Sequence, residues 1–213
     1  SLFLACLRSL NRYDDDVASG GWSWEAGRPV HRASESTVGL LSFGPIARRA
    51  AERFASFDAD LVAHDPFVDD EQMTERGVEP VGFDALFERA DHVAVYAPLT
   101  EATRGIVDAD ALAKLGSHSV LVNVGRGPVV DADALLDALE ADAIKGAGLD
   151  VLAEEPPTED PLVGRDDTIV TPHAAWYSEE ARDDLNRSAA VDVAAALTGE
   201  TPPGRVDPDA DWL

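Results

Sequence analysis

From Thr37 onward the chain alternates short, continuously apolar runs with helical patterns, and few folds accommodate that alternation. The runs are VGLL at 38–41, LVAH at 61–64, HVAVYA at 92–97, SVLVNV at 119–124, GAGLDV at 146–151 and TIVTP at 168–172. Each reads as a strand. Between them Ile46, Ala50, Phe54 and Phe57 line one helical face, Phe83, Leu86 and Phe87 a second, and Ala134, Leu135, Ala138 and Leu139 a third. Strands apolar on both faces and separated by helices imply an α/β fold built on a doubly wound parallel sheet, here of six strands. Asp131 and Ser178 stand where helix N-caps belong, and Gly199 where a C-cap glycine would end a long last helix.

The two ends read differently. SLFLACL, followed at helical spacing by Arg8 and Arg12, predicts one amphipathic opening helix, and its seven apolar-rich residues are too few to cross a bilayer. Residues 14–36, rich in Asp, Gly, Ser and Trp without a period, predict a loop. The tail TPPGRVDPDADWL, Pro-rich and acidic, predicts irregular structure. The expected organisation is therefore an opening helix and loop over 1–34, a nucleotide-binding domain over 35–177, and a C-terminal helix with its tail over 178–213.

Charge narrows the partners. Asp and Glu total 41 against 17 Lys and Arg, a formal net charge of -24. Such a polyanion is repelled by phosphate backbones and anionic lipids, so neither nucleic acid nor membrane is an expected partner. Hydrophobic residues make up 45% of the chain, enough for a packed core, which argues against disorder as the meaning of the acidity. The balance, with Lys114 and Lys145 as the only lysines, resembles proteins of salt-accumulating microbes, where counterions screen self-repulsion. Cys6 is the sole cysteine, which excludes an intrachain disulfide and a Cys-based metal site and suits a reducing cytoplasm. His31, His64, His92 and His118 have no ligand spacing, so no metal is expected.

Chemistry first appears in VGLLSFGPIA, Val38 to Ala47: a strand, a tight turn, then a helix opening on Pro45 and Ile46. A dinucleotide pyrophosphate would sit on that turn. The glycine fingerprint is degenerate, appearing as Ser42, Gly44 and Ala47. Gly44 keeps the position of close backbone approach and alanine is an accepted third residue, but a Cβ at Ser42 is a departure expected to weaken binding. Asp65 ends the next run 21 residues after Gly44, the spacing of an acid that bonds the ribose hydroxyls; its negative charge favours NAD over NADP. The plainer reading of Asp65 is a turn residue before Pro66.

Four more motifs follow: APLTEATRGIV from Ala97, LVNVGRGPVVD from Leu121, GAGLDVLAEEP from Gly146 and TPHAAWYSE from Thr171. In this order they resemble the D-isomer-specific 2-hydroxyacid dehydrogenases, and the last resembles most closely the C-terminal-binding protein branch. The resemblance implies an NAD-dependent oxidoreductase that interconverts a small 2-keto acid and a D-2-hydroxy acid. It implies Arg126, Glu155 and His173 as the catalytic set, with Arg126 also binding substrate. It further implies Pro98, Thr100, Thr103, Val124 and Asp150 beside the cofactor, Trp176 against the side chain of a bulky or thioether substrate, and a homodimer, in which a partner would cover the apolar opening helix. Taken singly, each residue has a plainer reading: a loop histidine, a surface ion pair, a solvated charge, a Trp packed under the last helix.

The family also carries a substrate-binding domain ahead of the nucleotide domain, most of which has no counterpart before Ser42. This leaves other readings open: a non-catalytic NAD sensor or corepressor-like scaffold, or an inactive dimerising fragment.

Overall fold

The computed structural model describes residues 1–206, which divide into two compact units, Ser1–Pro172 and His173 onward. In the first unit the seven parallel strands are β1 (Thr37–Leu41), β2 (Asp60–His64), β3 (Glu79–Pro80), β4 (His92–Val95), β5 (Val120–Asn123), β6 (Gly146–Leu149) and β7 (Thr168–Val170), in spatial order 3-2-1-4-5-6-7. The first unit's helices are α1 (Leu2–Leu7), α2 (Leu10–Ala18), α3 (Pro45–Ala55), α4 (Asp70–Thr74), α5 (Phe83–Arg89), α6 (Ala109–Leu112) and α7 (Ala132–Glu140). One face of the sheet buries Phe3, Leu7, Ala47, Ala51, Phe54 and Met73, from α1, α3 and α4. The other buries Leu86, Phe87, Leu112, Leu135 and Leu139, from α5, α6 and α7. That is a doubly wound, Rossmann-type sheet, with helices covering strands that are apolar on both faces.

The sequence expectations are corrected in four places. The sheet has seven strands, because Glu79–Pro80 pairs with β2 through two residues. The opening helix is two: Ser9 takes a left-handed φ of 52° and its hydroxyl donates to Gly27 O at 2.9 Å, which separates α1 from α2. Residues 14–36 are not all loop, since α2 runs to Ala18 and 3-10 turns cover Trp24–Gly27 and Ala33–Glu35. On α3 the buried residues are Ala47, Ala51 and Phe54, while Ile46 is 70% and Phe57 42% exposed, because Pro45 opens the helix and Ala55 closes it before Phe57.

The expected partner for the opening helix is also unnecessary. Phe3, Cys6 and Leu7 are buried by the chain's own sheet, α1 lying across β5, β6 and β7. It lies that close because Gly148 in β6 has no side chain: a Cβ there would stand 3.1 Å from Cys6 Sγ and 3.2 Å from Leu2 Cβ. Burial pushes the Cys6 thiol pKa up to about 12, so its packing role is that of a small hydrophobe. Lys145 Nζ donates to Leu7 O at 2.8 Å, a cation on a helix C-terminus.

In the second unit, α8 (Glu179–Thr198) is capped by the Ser178 hydroxyl, which accepts from Ala181 N, and ends at Gly199 with φ 76°. In the first, the Asp131 side chain accepts from Asp133 N and Ala134 N to start α7, so these three caps stand as the sequence predicts. The tail through Val206 is irregular, and the rest of it, 207–213, lies outside the described residues.

His92 opens β4 and is fully buried, 0% exposed. Val120 N donates to its Nδ1 at 3.1 Å, so the neutral ring carries its proton on Nε2, which has no partner among the described residues. Burial, opposed by Asp91 and reinforced by His118, Lys145 and His31, pushes its pKa from 6.5 down to about 4. Between those values the folded ring stays neutral while the unfolded chain takes a proton. Stability from this group is therefore full above pH 6.5 and lost as the pH falls toward 4, about 3 kcal/mol in all. Urea midpoints across that range should fall less steeply in His92→Gln, which keeps an acceptor but cannot titrate. Equal slopes in the two proteins would assign the loss to other groups.

Candidate active site

The order in which strands are added reverses between β1 and β4: β2 and β3 are laid on one side of β1, β4 to β7 on the other. In such sheets ligands bind at this switch point, outside the carboxyl ends of the strands. The register places the exits of all the long strands on this one edge, with Leu41 level with His64 and Val95, and Asn123 level with Val95 and Leu149.

The turn after β1 takes the shape that the degenerate fingerprint puts in question. Ser42 holds a left-handed φ of 74°, the conformation for which glycine is the usual residue, and its N–H donates to His64 O at 2.8 Å. Gly44 starts α3 in extended conformation, and a Cβ built on it would meet nothing within 4 Å, so open space faces its backbone. Pro45 has no N–H and Arg48 N bonds Gly44 O, leaving the Ile46 and Ala47 N–H groups without an intrahelical acceptor. An open glycine beside two outward amides at the positive end of an 11-residue helix fits a pyrophosphate.

Asp65 stands directly against this turn. Its Oδ2 accepts from Phe43 N at 2.7 Å and from the Ser42 hydroxyl at 3.0 Å; its Oδ1 accepts from Phe67 N at 2.9 Å. The plainer reading of Asp65 stands, since it closes a turn with Phe67, and its carboxylate lies against the turn after β1. Arg48, which no motif singled out, holds the loop from behind: Nε donates to Phe43 O at 3.0 Å and Nη2 to Gln72 at 3.1 Å.

On the other side of the switch, the loop after β4 is locked by its own threonines. Thr103 Oγ1 donates to Pro98 O at 2.6 Å and accepts from Thr100 N at 2.8 Å, while Thr103 N donates back to Thr100 Oγ1 at 3.2 Å. After β5, Val124 is half-buried and Arg126 exposed; Asn123 pins the turn by donating to Arg126 O at 3.0 Å and accepting from Gly125 N at 3.0 Å. Arg126 Nη1 donates to Gly125 O at 2.8 Å. Asp150 leaves β6 only 2% exposed and accepts from the Thr171 hydroxyl at 2.5 Å. Glu155 is exposed and accepts from Leu152 N at 3.0 Å.

The first unit therefore gathers Ser42, Gly44, Ile46, Asp65, Pro98, Thr100, Thr103, Val124, Arg126 and Asp150 at the strand exits, with Glu155 on the segment that follows β6. His173 and Trp176 belong to the second unit. His173 is exposed with a left-handed φ of 52°, and Trp176 is 53% exposed and meets Tyr177 edge to face at 5.5 Å. Among the described residues no cluster of three His, Cys, Asp or Glu is arranged to hold a metal, and no helix is long and apolar enough to cross a membrane.

Residues 1–175 match the family described as D-isomer specific 2-hydroxyacid dehydrogenase, NAD binding domain. The chain belongs to that family. The domain it carries is the NAD-binding one, and NAD is its cofactor. It is 36% identical over its whole length to the D-3-phosphoglycerate dehydrogenase of Mycobacterium leprae and spans 42% of that protein. It is 33% identical to the hydroxypyruvate reductase of Thermotoga maritima, with 85% of this chain and 59% of that one aligned. The D-lactate dehydrogenase of Aquifex aeolicus, solved with NAD and lactic acid, superposes with a TM-score of 0.86 at 25% identity, over 93% of this chain and 64% of that one. The chain thus spans two fifths to two thirds of these relatives.

Proposed function

We propose that this chain is the nucleotide-binding part of an NAD-dependent oxidoreductase that interconverts a 2-keto acid and a D-2-hydroxy acid. The observation that carries the reading is the dinucleotide turn at the switch point with the Asp65 carboxylate bonded to it, in a member of this family. Bound NADH supplies the hydride that reduces the substrate carbonyl carbon. The chain's own residues bind the acid and move the proton. Arg126 offers a planar fork that holds a carboxylate bidentately and polarises the neighbouring keto oxygen. His173 gives its proton to that oxygen as hydride arrives, and takes it back in the opposite direction. Glu155 completes the proposed catalytic set. Asp65 binds the adenosine ribose and rejects a 2'-phosphate by charge. Trp176 meets the substrate side chain.

The same proposal includes a homodimer in a reducing, salt-rich cytoplasm. With α1 covered by its own sheet, the apolar surface that supports dimerisation is instead Trp22 and Trp24, 90% and 70% exposed beyond α2.

The deciding experiment is a titration with NADH followed by nicotinamide fluorescence, in low and in molar KCl, with NADPH as control. Saturable binding that prefers NADH and strengthens as salt screens the net charge of -24 is the expected result. No binding by protein that circular dichroism reports as folded would overturn the reading and favour a scaffold.

A further inference from the structure

The protein itself nearly exhausts the acceptor capacity of Asp65. A carboxylate has about four lone-pair positions. Phe43 N and the Ser42 hydroxyl occupy two on Oδ2, at 2.7 and 3.0 Å, and Phe67 N takes one on Oδ1, at 2.9 Å. That leaves roughly one, whereas the adenosine ribose presents two adjacent hydroxyls, so gripping both requires one of the three donors to leave.

Two of the donors are fixed. Phe43 is fully buried, its carbonyl is held by Arg48 at 3.0 Å, and the preceding amide is anchored on His64 O at 2.8 Å. The Phe67 amide closes a turn that is continued by Val68 N bonding to Asp65 O. Ser42 Oγ, by contrast, moves by rotation about a single bond without disturbing the main chain.

We propose that the Ser42 hydroxyl is a specificity-determining group that competes with the adenosine ribose for Asp65, so that its displacement is part of cofactor binding. The inference rests on the NAD-binding role given to the turn above. It separates two effects that one residue combines. The left-handed backbone at Ser42 strains the turn whether or not cofactor is present. The hydroxyl acts only against a ligand that needs the lone pair it holds. A glycine at this position would have neither effect, and an alanine only the first.

The consequence is a lowered affinity for NADH and a compressed preference for ribose over deoxyribose at the adenosine end. The test titrates wild type, Ser42→Ala and Ser42→Gly with NADH and with the analogue carrying 2'-deoxyadenosine, after circular dichroism has shown all three folded. Ser42→Ala should bind NADH about tenfold tighter than wild type, the scale of one hydrogen bond to a charged group. Its gain on the deoxy analogue should be less than about twofold, because that ligand has no second hydroxyl to claim the vacated position. Ser42→Ala binding no tighter, or more weakly, would show the hydroxyl to be a strut that readies Asp65, and would overturn the inference while leaving NAD binding intact. Equal gains on both ligands would also overturn it, by assigning the effect to steric relief. Binding by Ser42→Ala where wild type shows none supports it. Failure of all three proteins to bind NADH overturns it together with the NAD-binding role of the turn.

Discussion

In the proposed mechanism, replacing His173 by asparagine is expected to lower kcat for 2-keto acid reduction by about 10²–10⁴-fold while leaving the NADH dissociation constant unchanged. The size follows from the role: without a positioned donor the carbonyl oxygen must take its proton from water. The choice of asparagine follows from the backbone. His173 has a φ of 52°, and asparagine is among the few residues that occupy this left-handed region readily, so the substitution removes the proton without reshaping the turn. An alanine would confound the two. The measurement is steady-state reduction over a panel of 2-keto acids with NADH, alongside the fluorescence titration. Turnover within about threefold of wild type would remove His173 from the role of general acid, since the mechanism assigns it a contribution of at least about a hundredfold.

The second large effect is structural and falls on the loop that presents Arg126. An alanine at Gly127 would place its Cβ 1.9 Å from Leu152 O and 2.1 Å from the carbonyl carbon behind it, both main-chain atoms that cannot swing aside. The expected cost is about 3 kcal/mol or more, at the severe end of overpacking, visible as a lowered urea midpoint. Gly44→Ala is the matched control. Its added Cβ meets nothing within 4 Å at an ordinary φ of -70°, so stability should hold while the pyrophosphate is crowded and NADH binding falls. A Gly127→Ala protein with wild-type midpoint would show that the Leu152 segment has slack and that Arg126 is not rigidly held.

The six longer strands are legible in the sequence because burial on both faces writes them as unbroken apolar runs, while Asp131 announces the start of α7 and Ser178 and Gly199 the two ends of α8. The features that escape are the ones set by contacts distant in sequence. Glu79–Pro80 carries no apolar run and is a strand only because β2 lies beside it. The break at Ser9 depends on a hydroxyl reaching Gly27, 18 residues away. A helical face drawn through Ile46 and Phe57 is regular on paper, but Pro45 and Ala55 bound the helix so that the first is exposed and the second lies beyond it.

The site divides in the same way. Spacing suffices to place Asp65 just after β2, because the length of a strand, helix and strand unit is set by geometry. Spacing cannot reveal that Ser42, conspicuous as a missing glycine, turns its hydroxyl onto that acid, nor that Arg48 ties down the loop carbonyl, since both need the turn's dihedral angles and the approach of β2. At Thr100 and Thr103 the hydrogen bonds within the loop account for both residue types without any ligand.

The buried His92, with Asp91 and His118 beside it, lies at the amino ends of β4 and β5, whereas the dinucleotide turn leaves the opposite ends. A parallel sheet thereby puts a strand's length, about 13 Å for four residues, between the groups that govern acid tolerance and those that hold cofactor. Free energies at sites so far apart and without shared partners are additive. A chain carrying both His92→Gln and Ser42→Ala should show the sum of the two single changes, and the lineage is free to drift in its tolerance of acid without renegotiating its grip on NAD.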